Sequence, residues 1–325
     1  VPVILEALDG AGPVAANWLR GAIEAIADRE LGAGHALPLD KLGQFLLDVN
    51  HQPRARRLAF ELIARIDPAT ADKLLTGMLT DPSPELRYDA VRKIVQQGDR
   101  ALAETNQPAA RLLFRQALTF AREVIQVDDL SKKLRALGET VDLPNLFGFV
   151  MKWKVIGPFD SVGGKGWAAA FPPEQGLDFG ATYDGKLGPV HWQDFVTTDD
   201  YGIVSMNQPF KALKGVAAYA CAAFDSAQAQ EVELRLGSEN SWKVWLNGEF
   251  LFGQDEYHRN KAIDQYRMPG HLRAGKNFIL VKVCQNEQTE DWAGDWDFQL
   301  RVCDRLGAAV HPAPASGATG KGAAQ

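Results

Sequence analysis

Two hydrophobic periods divide the chain. From residue 1 to about 140 the apolar positions recur every three to four residues. In PRARRLAFELIARI, Pro53 to Ile66, the residues Leu58, Leu62 and Ile66, joined by Ile63, fall on one stripe and predict a helix. Asp67-Pro68 and Asp81-Pro82 both read as helix starts, with the acid as cap and proline at the first helical position. Beyond Pro84, Leu86, Ala90, Val91 and Ile94 make a second stripe, which Gly98 is expected to end. A further helix is predicted over Ala109 to Val124, and another in DDLSKKLRALGE with Gly138 as its stop. Short amphipathic helices with brief loops predict a stack in which each helix pair covers its neighbour.

Near Val141 the period shortens to two and Trp, Phe, Tyr and Gly become frequent. All eight Trp except Trp18 lie at or beyond Trp153. Strands are predicted at KWKVIG (Lys152 to Gly157), GIVSMN (Gly202 to Asn207), VAAYACAAF (Val216 to Phe224), EVELRLG (Glu231 to Gly237), SWKVWLN, EFLFG, FILVKVCQ (Phe278 to Gln285) and DFQLRVC (Asp297 to Cys303). No helical segment alternates with them, so the expectation is an antiparallel β-sandwich behind an α-helical region, an α+β multidomain chain. The boundaries drawn are 1–140, 141–307, and an Ala/Gly/Pro-rich tail at 308–325 expected to be flexible.

Asn247-Gly248 is a two-residue hairpin signal, because both residues take positive φ at little cost. Strict alternation puts Trp242, Val244, Leu246 and Leu251 on one face and Lys243, Trp245, Phe250 and Phe252 on the other. The first face is the core face. The second either packs against another layer or forms an aromatic surface for a ligand, with Tyr257, His258, Tyr266, Trp292 and Trp296 as extensions. Arg235, Lys243 and Lys282 alternate with apolar neighbours and are expected on solvated faces. Phe278 to Gln285 and Asp297 to Cys303 are read as successive paired strands, too offset for Cys284 and Cys303 to bridge, so Cys221, Cys284 and Cys303 are expected as thiols.

Composition narrows the function classes. The 325 residues are 46% hydrophobic and 23% charged, enough for sizeable cores. A net charge of -6 disfavours a duplex nucleic-acid partner. No run approaches the roughly 20 apolar residues of a membrane span. The chain opens VPVIL without Met, as expected of a processed or trimmed product.

Several phrases carry a resemblance. KWKVIGPFD (Lys152 to Asp160), FPPE (Phe171 to Glu174), LGSENSWKVWLNGE (Leu236 to Glu249) and LRAGKNFILVKV (Leu272 to Val283) resemble a galactose-binding-like, jelly-roll β-sandwich. This version is common in large secreted or envelope-associated proteins of planctomycete-type bacteria. A similar phrase occurs in the non-catalytic sandwich of family 2 glycoside hydrolases. LTDPSPELRYDAVRKI resembles a HEAT repeat, and ARLLFRQALTFAREVIQVDDLSKKLRALG resembles the linker helices that precede such sandwiches. The resemblance implies a glycan-binding, calcium-carrying or spacer module and transfers no catalytic residue. Gly237-Ser238-Glu239-Asn240 stands where relatives often show Gly-Ser-Asp-Asp, which alters the acidic pattern of that loop.

HExxH, GxSxG, a strand-following GxGxxG and GxxxxGK[ST] are all missing, and no His pairs with another at metal-binding spacing. GGKGW, Gly163 to Trp167, reads as a loop that lays Trp167 on the core. The acidic run NEQTEDWAGDWD offers Asp291, Asp295 and Asp297 as calcium ligands; a solvated loop is the plainer reading. The expectation is a non-enzymatic, extracytoplasmic module that binds a glycan or another envelope protein through Trp245, Phe250, Phe252, Tyr257, His258 and Trp292. The alternatives are a structural subunit of a larger assembly, or an accessory non-catalytic part of a carbohydrate-active enzyme.

Overall fold

The computed structural model describes residues 2–313, and the chain divides into two compact units, Val1–Val141 and Asp142–Gln325. The first is helical: α1 (Pro2–Ala7), α2 (Pro13–Gly32), α3 (Leu39–Leu47), α4 (Pro53–Ile66), α5 (Pro68–Leu75), α6 (Pro84–Ala103), α7 (Gln107–Phe120) and α8 (Val124–Ala136). Proline opens α2, α4, α5 and α6, where its missing N–H costs nothing. Asp67 caps α5 by accepting from the Thr70 amide. Asp81-Pro82, by contrast, starts no helix. Ser83 caps α6, while Asp81 is buried and accepts both terminal nitrogens of Arg56 at 2.8 and 2.6 Å. Nor does Gly98 end α6. It lies inside the helix, where Phe114 of α7 packs so closely that a Cβ would sit 2.4 Å from the ring. The helix expected over Ala109 to Val124 breaks at Ala121, and α8 begins at Val124.

The second unit opens with α9 (Leu143–Phe147), β1 (Lys152–Asp160), α10 (Lys165–Ala168) and α11 (Pro172–Gln175). Then come β2 (Thr182–Gly185), β3 (Gly188–His191), β4 (Gln193–Val196), β5 (Val204–Ser205), α12 (Asn207–Phe210), β6 (Val216–Ser226), β7 (Gln230–Gly237) and β8 (Ser241–Leu246). β9 (Glu249–Gln254), β10 (Tyr266–Leu272), β11 (Gly275–Gln285) and β12 (Asp297–Cys303) complete it. A six-stranded antiparallel sheet, β4-β1-β6-β11-β8-β9, faces a four-stranded one, β10-β7-β12-β5. Trp153, Trp242, Val244, Val281, Trp296, Phe298 and Leu300 fill the space between them. The molecule is thus α+β, with a β-sandwich in the second unit.

β11 and β12 do not pair: they lie in different sheets, and the loop between them crosses the end of the sandwich. All three cysteines are buried thiols. Much of the two outer faces is covered as well, although β10 keeps Arg267 and His271 exposed. β2, β3, α10 and α11 belong to a segment that covers the six-stranded sheet, burying Trp192, Tyr219, Cys221, Trp245 and Leu280 beneath it. Lys282 is fully buried, and Lys243 lies 4.2 Å from the centre of the Trp167 ring. On the other sheet, Arg235 and Arg301 are buried around Asp264. The segment expected as a loose tail from Ala308 is held as far as Ala313: Val310 donates to the Val302 carbonyl at 3.0 Å and Ala313 to that of Asp225 at 2.7 Å. Residues 314–325 lie outside the described residues.

Candidate functional site

Three loops converge at one end of the sandwich, and the turn Gly237 to Asn240 ties them together. A Cβ on Gly237 would lie 2.4 Å from the Ala262 carbonyl, so only glycine lets these backbones touch. Ser238 Oγ donates to the Asp297 carbonyl at 2.7 Å. Asn240 Nδ2 donates to the Asp295 carbonyl at 3.0 Å and to Gln285 Oε1 at 3.2 Å, while its Oδ1 accepts from the Asp297 amide at 3.0 Å. One short turn thereby fixes the loop after β9 and the loop between β11 and β12.

On this base sit Tyr257, His258, Asn286 and Trp292. His258 has a left-handed backbone, φ 61°, which is uncommon outside glycine and concentrates at functional loops. Its amide donates to the Glu239 carbonyl at 2.6 Å, and Asn286 Nδ2 donates to its Nε2 at 3.0 Å. Nε2 is therefore the acceptor, and the proton of the neutral ring sits on Nδ1. The His258 ring meets Trp292 edge-on, with centroids 4.7 Å apart and planes at 86°. Trp292 is nonetheless 60% exposed. The Tyr257 ring lies 5.9 Å from that of His258, and burial raises its phenol above the usual range. Asn286 also donates to Gln288 Oε1 at 2.8 Å.

The six expected contact residues do not form one surface. Tyr257, His258 and Trp292 meet here. Trp245 is buried under the covering segment, edge-on to Phe250 at 5.7 Å. It lies four residues along β8 from Ser241, roughly 13 Å at the rise of a strand. Phe250 and Phe252 also part company. The type I′ turn forms, with φ 54° at Asn247 and 83° at Gly248, and Trp245 pairs with Phe250. A bulge at Leu251 then sets Val244 opposite Phe252, turning Phe252 to the side of Trp242, 5.9 Å away. Both phenylalanines are about half exposed, on the edge strand β9.

The three aspartates expected to hold calcium do not converge. Asp297 lies in β12 with both carboxylate oxygens 2.7 Å from Lys261 Nζ; burial raises its pKa, and Lys261 works against that. Asp291 and Asp295 are exposed, and Asp295 contributes its backbone carbonyl to Asn240 and Gln285. Among the described residues no three His, Cys, Asp or Glu side chains are placed to hold a metal ion.

A polar group that the alternation concealed lies under the covering segment. Lys282 Nζ donates to the Ala169 carbonyl at 2.7 Å and to Glu174 Oε1 at 2.8 Å, and the Tyr219 hydroxyl donates to the same oxygen. Burial lowers Lys282 and raises Tyr219, while Glu174 favours the charged lysine; burial also pushes the Cys284 thiol up to about 12. Glu174 closes FPPE, so that phrase is a pin for the covering segment. VAAYACAAF carried the signal: a nearly continuous apolar run indicates a strand buried on both faces, and Lys282 stands opposite its Tyr219.

The architecture is that of a two-sheet antiparallel sandwich with an exposed aromatic corner among its end loops. No protein-family model matches the chain, and no curated protein does. Among solved structures, it is similar to a β-glucosidase from Kluyveromyces marxianus in complex with glucose, at TM-score 0.29 and 11% identity over 46% of this chain and 16% of that one. A GH31 α-xylosidase from Xanthomonas citri gives TM-score 0.20 and 10% identity over 34% and 14% of the two chains. A cycloisomaltooligosaccharide glucanotransferase from Paenibacillus sp., complexed with cycloisomaltoheptaose, gives TM-score 0.20 and 11% identity over 57% and 23%. The chain spans less than a quarter of each of these proteins, and likenesses this weak carry no argument about what it binds.

Proposed function

We propose that the chain is a non-catalytic, extracytoplasmic binding module: a galactose-binding-like jelly roll preceded by HEAT-like helices, taking a glycan at the Trp292 corner. The observation behind this reading is the exposed indole of Trp292, braced edge-on by His258, whose Nε2 is held by the Asn286 amide. A sugar ring presents an apolar face to an indole and hydroxyls to polar groups, so the indole supplies stacking and polar groups orientation. A rigid aromatic also loses little entropy on binding.

The test is retention on a panel of immobilised polysaccharides, followed by calorimetry with the oligosaccharide of the retained one. Trp292→Ala is expected to weaken binding about tenfold or more, or about 1.4 kcal/mol, with an unchanged near-UV spectrum, whereas Phe250→Ala leaves it intact. No retention by any polysaccharide, or wild-type affinity in Trp292→Ala, overturns the reading. A second reading, a scaffold subunit that binds protein, draws on Phe250 and Phe252, half exposed on an edge strand that suits strand addition.

A further inference from the structure

Helix α2 is apolar on both of its faces. Its inner face places Ala16, Ile23 and Ala27 in the helical core. Its outer face, taken as the residues within about 60° of Trp18 at roughly 100° per residue, carries Val14, Ala15, Trp18, Gly21, Ala22 and Ala25, with no charge until Arg29. Trp18 is 78% and Val14 72% exposed, and the four small residues are exposed as well. A surface helix usually has a single apolar stripe, facing the core, so the second one on α2 calls for a partner. Gly21 adds to the anomaly. It costs about 1 kcal/mol against alanine inside a helix, and a Cβ there would meet nothing within 4 Å, so no packing among the described residues calls for it.

We infer that this face binds a second copy of the chain, α2 against α2, antiparallel across a two-fold axis between Gly21 and Ala22. The order of sizes along the stripe is self-complementary. The bulky residues, Val14 and Trp18, occupy its first half, and the small ones, Gly21, Ala22 and Ala25, its second. A two-fold lays Trp18 of each copy over Ala25 of the other and Val14 against the stem of Arg29, while the bare Gly21 backbone allows close approach at the crossing. The flanking charges argue against a charged macromolecule as occupant, since each is already paired: Arg20 with Glu24 and Glu61, Asp28 with Arg65, Arg29 with Glu30. Each Trp18 covers roughly 150–250 Å². With its neighbours, the total stays under about 1,200 Å², the class of weak and reversible contacts.

Sedimentation equilibrium of the whole chain from about 5 to 500 μM tests this. The expected result is a monomer–dimer equilibrium with a dissociation constant on the order of tens of micromolar, the mean mass falling toward 35.6 kDa on dilution. Trp18→Glu and Ala22→Trp, the first removing the knob and the second filling the notch, are each expected to be monomeric throughout, with helix content unchanged by circular dichroism. A wild-type chain that stays monomeric at 500 μM overturns the inference. So does a dimer that persists in folded Trp18→Glu, which would place the contact elsewhere, for example on the β9 edge.

Discussion

Asp264 shows how much one residue can hide from sequence. It bridges two buried arginines: Arg301 Nε reaches its Oδ1 at 2.5 Å, and Arg235 Nη1 its Oδ2 at 2.7 Å. Burial alone would raise its pKa, but the Arg301 and Arg235 charges outweigh that and hold the carboxyl well below the usual range. A depressed carboxylate contributes stability that is complete above its unfolded value, about 3.9, and is lost as the pH falls from there toward the folded value. Asp264→Asn is therefore expected to cost about 3–5 kcal/mol at pH 7, because Arg301 stays buried without its counter-charge and Arg235 keeps only that of Glu233. The deficit should shrink at pH 3 and below. Urea unfolding followed by tryptophan fluorescence at both pH values checks this; an equal deficit at both would remove the electrostatic account. The alternation in EVELRLG located Arg235 on the face opposite the core. It held no information on what covers that face, because the cover comes from residues some 30 and 70 positions away.

At the scale of elements, periodicity located helices and strands better than punctuation located their ends. The stripe of Leu58, Leu62, Ile63 and Ile66 is the buried side of α4 except at Ile66, which is partly buried. Gly98 was misleading because a glycine that ends a helix and a glycine that admits a neighbour look alike in one sequence. The distance to Phe114 separates them and makes a prediction. On propensity alone, Gly98→Ala would gain about 1 kcal/mol. The added methyl must instead displace a buried ring, so a net loss of about 1–3 kcal/mol is expected, with a lower midpoint in thermal unfolding monitored at 222 nm. Phe114→Leu in the same background should recover part of it by opening space. The Leu251 bulge is the corresponding case among strands. Strict alternation placed Phe250 and Phe252 on one face, and a single unpaired residue divides them. Phe252 therefore left the expected surface on register and Trp245 through burial under the covering segment, while the residues beyond the hairpin, Tyr257, His258 and Trp292, did come together.

For the whole molecule, the antiparallel sandwich was legible because strand alternation is a local property. The order of the strands was not, because every pairing beyond a hairpin joins distant residues. The covering segment escaped for a related reason: β2 and β3 are four residues each, mostly polar, and show no period. Yet this segment closes the second unit. It buries Trp192 and Trp245, and Glu174 pins it to Lys282. The stretch from Val302 to Ala313 seals the same unit through the bonds of Val310 and Ala313. A unit with its own core, a covered outer sheet and both ends bonded to its strands meets the conditions for folding alone. Residues 142–313, produced by themselves, are expected to unfold in a single cooperative step in urea. They contain seven of the eight tryptophans, of which Trp242 and Trp296 are fully buried, so fluorescence should move sharply to longer wavelength at the midpoint. Ending the fragment at 303 instead removes the closing strap and uncovers the Arg301 guanidinium, which donates to the Gly307 carbonyl at 3.0 Å. That shorter fragment should unfold at lower urea by an amount equivalent to about 2 kcal/mol or more. Equal midpoints for the two fragments would mean that residues 304–313 contribute nothing to the stability of the sandwich.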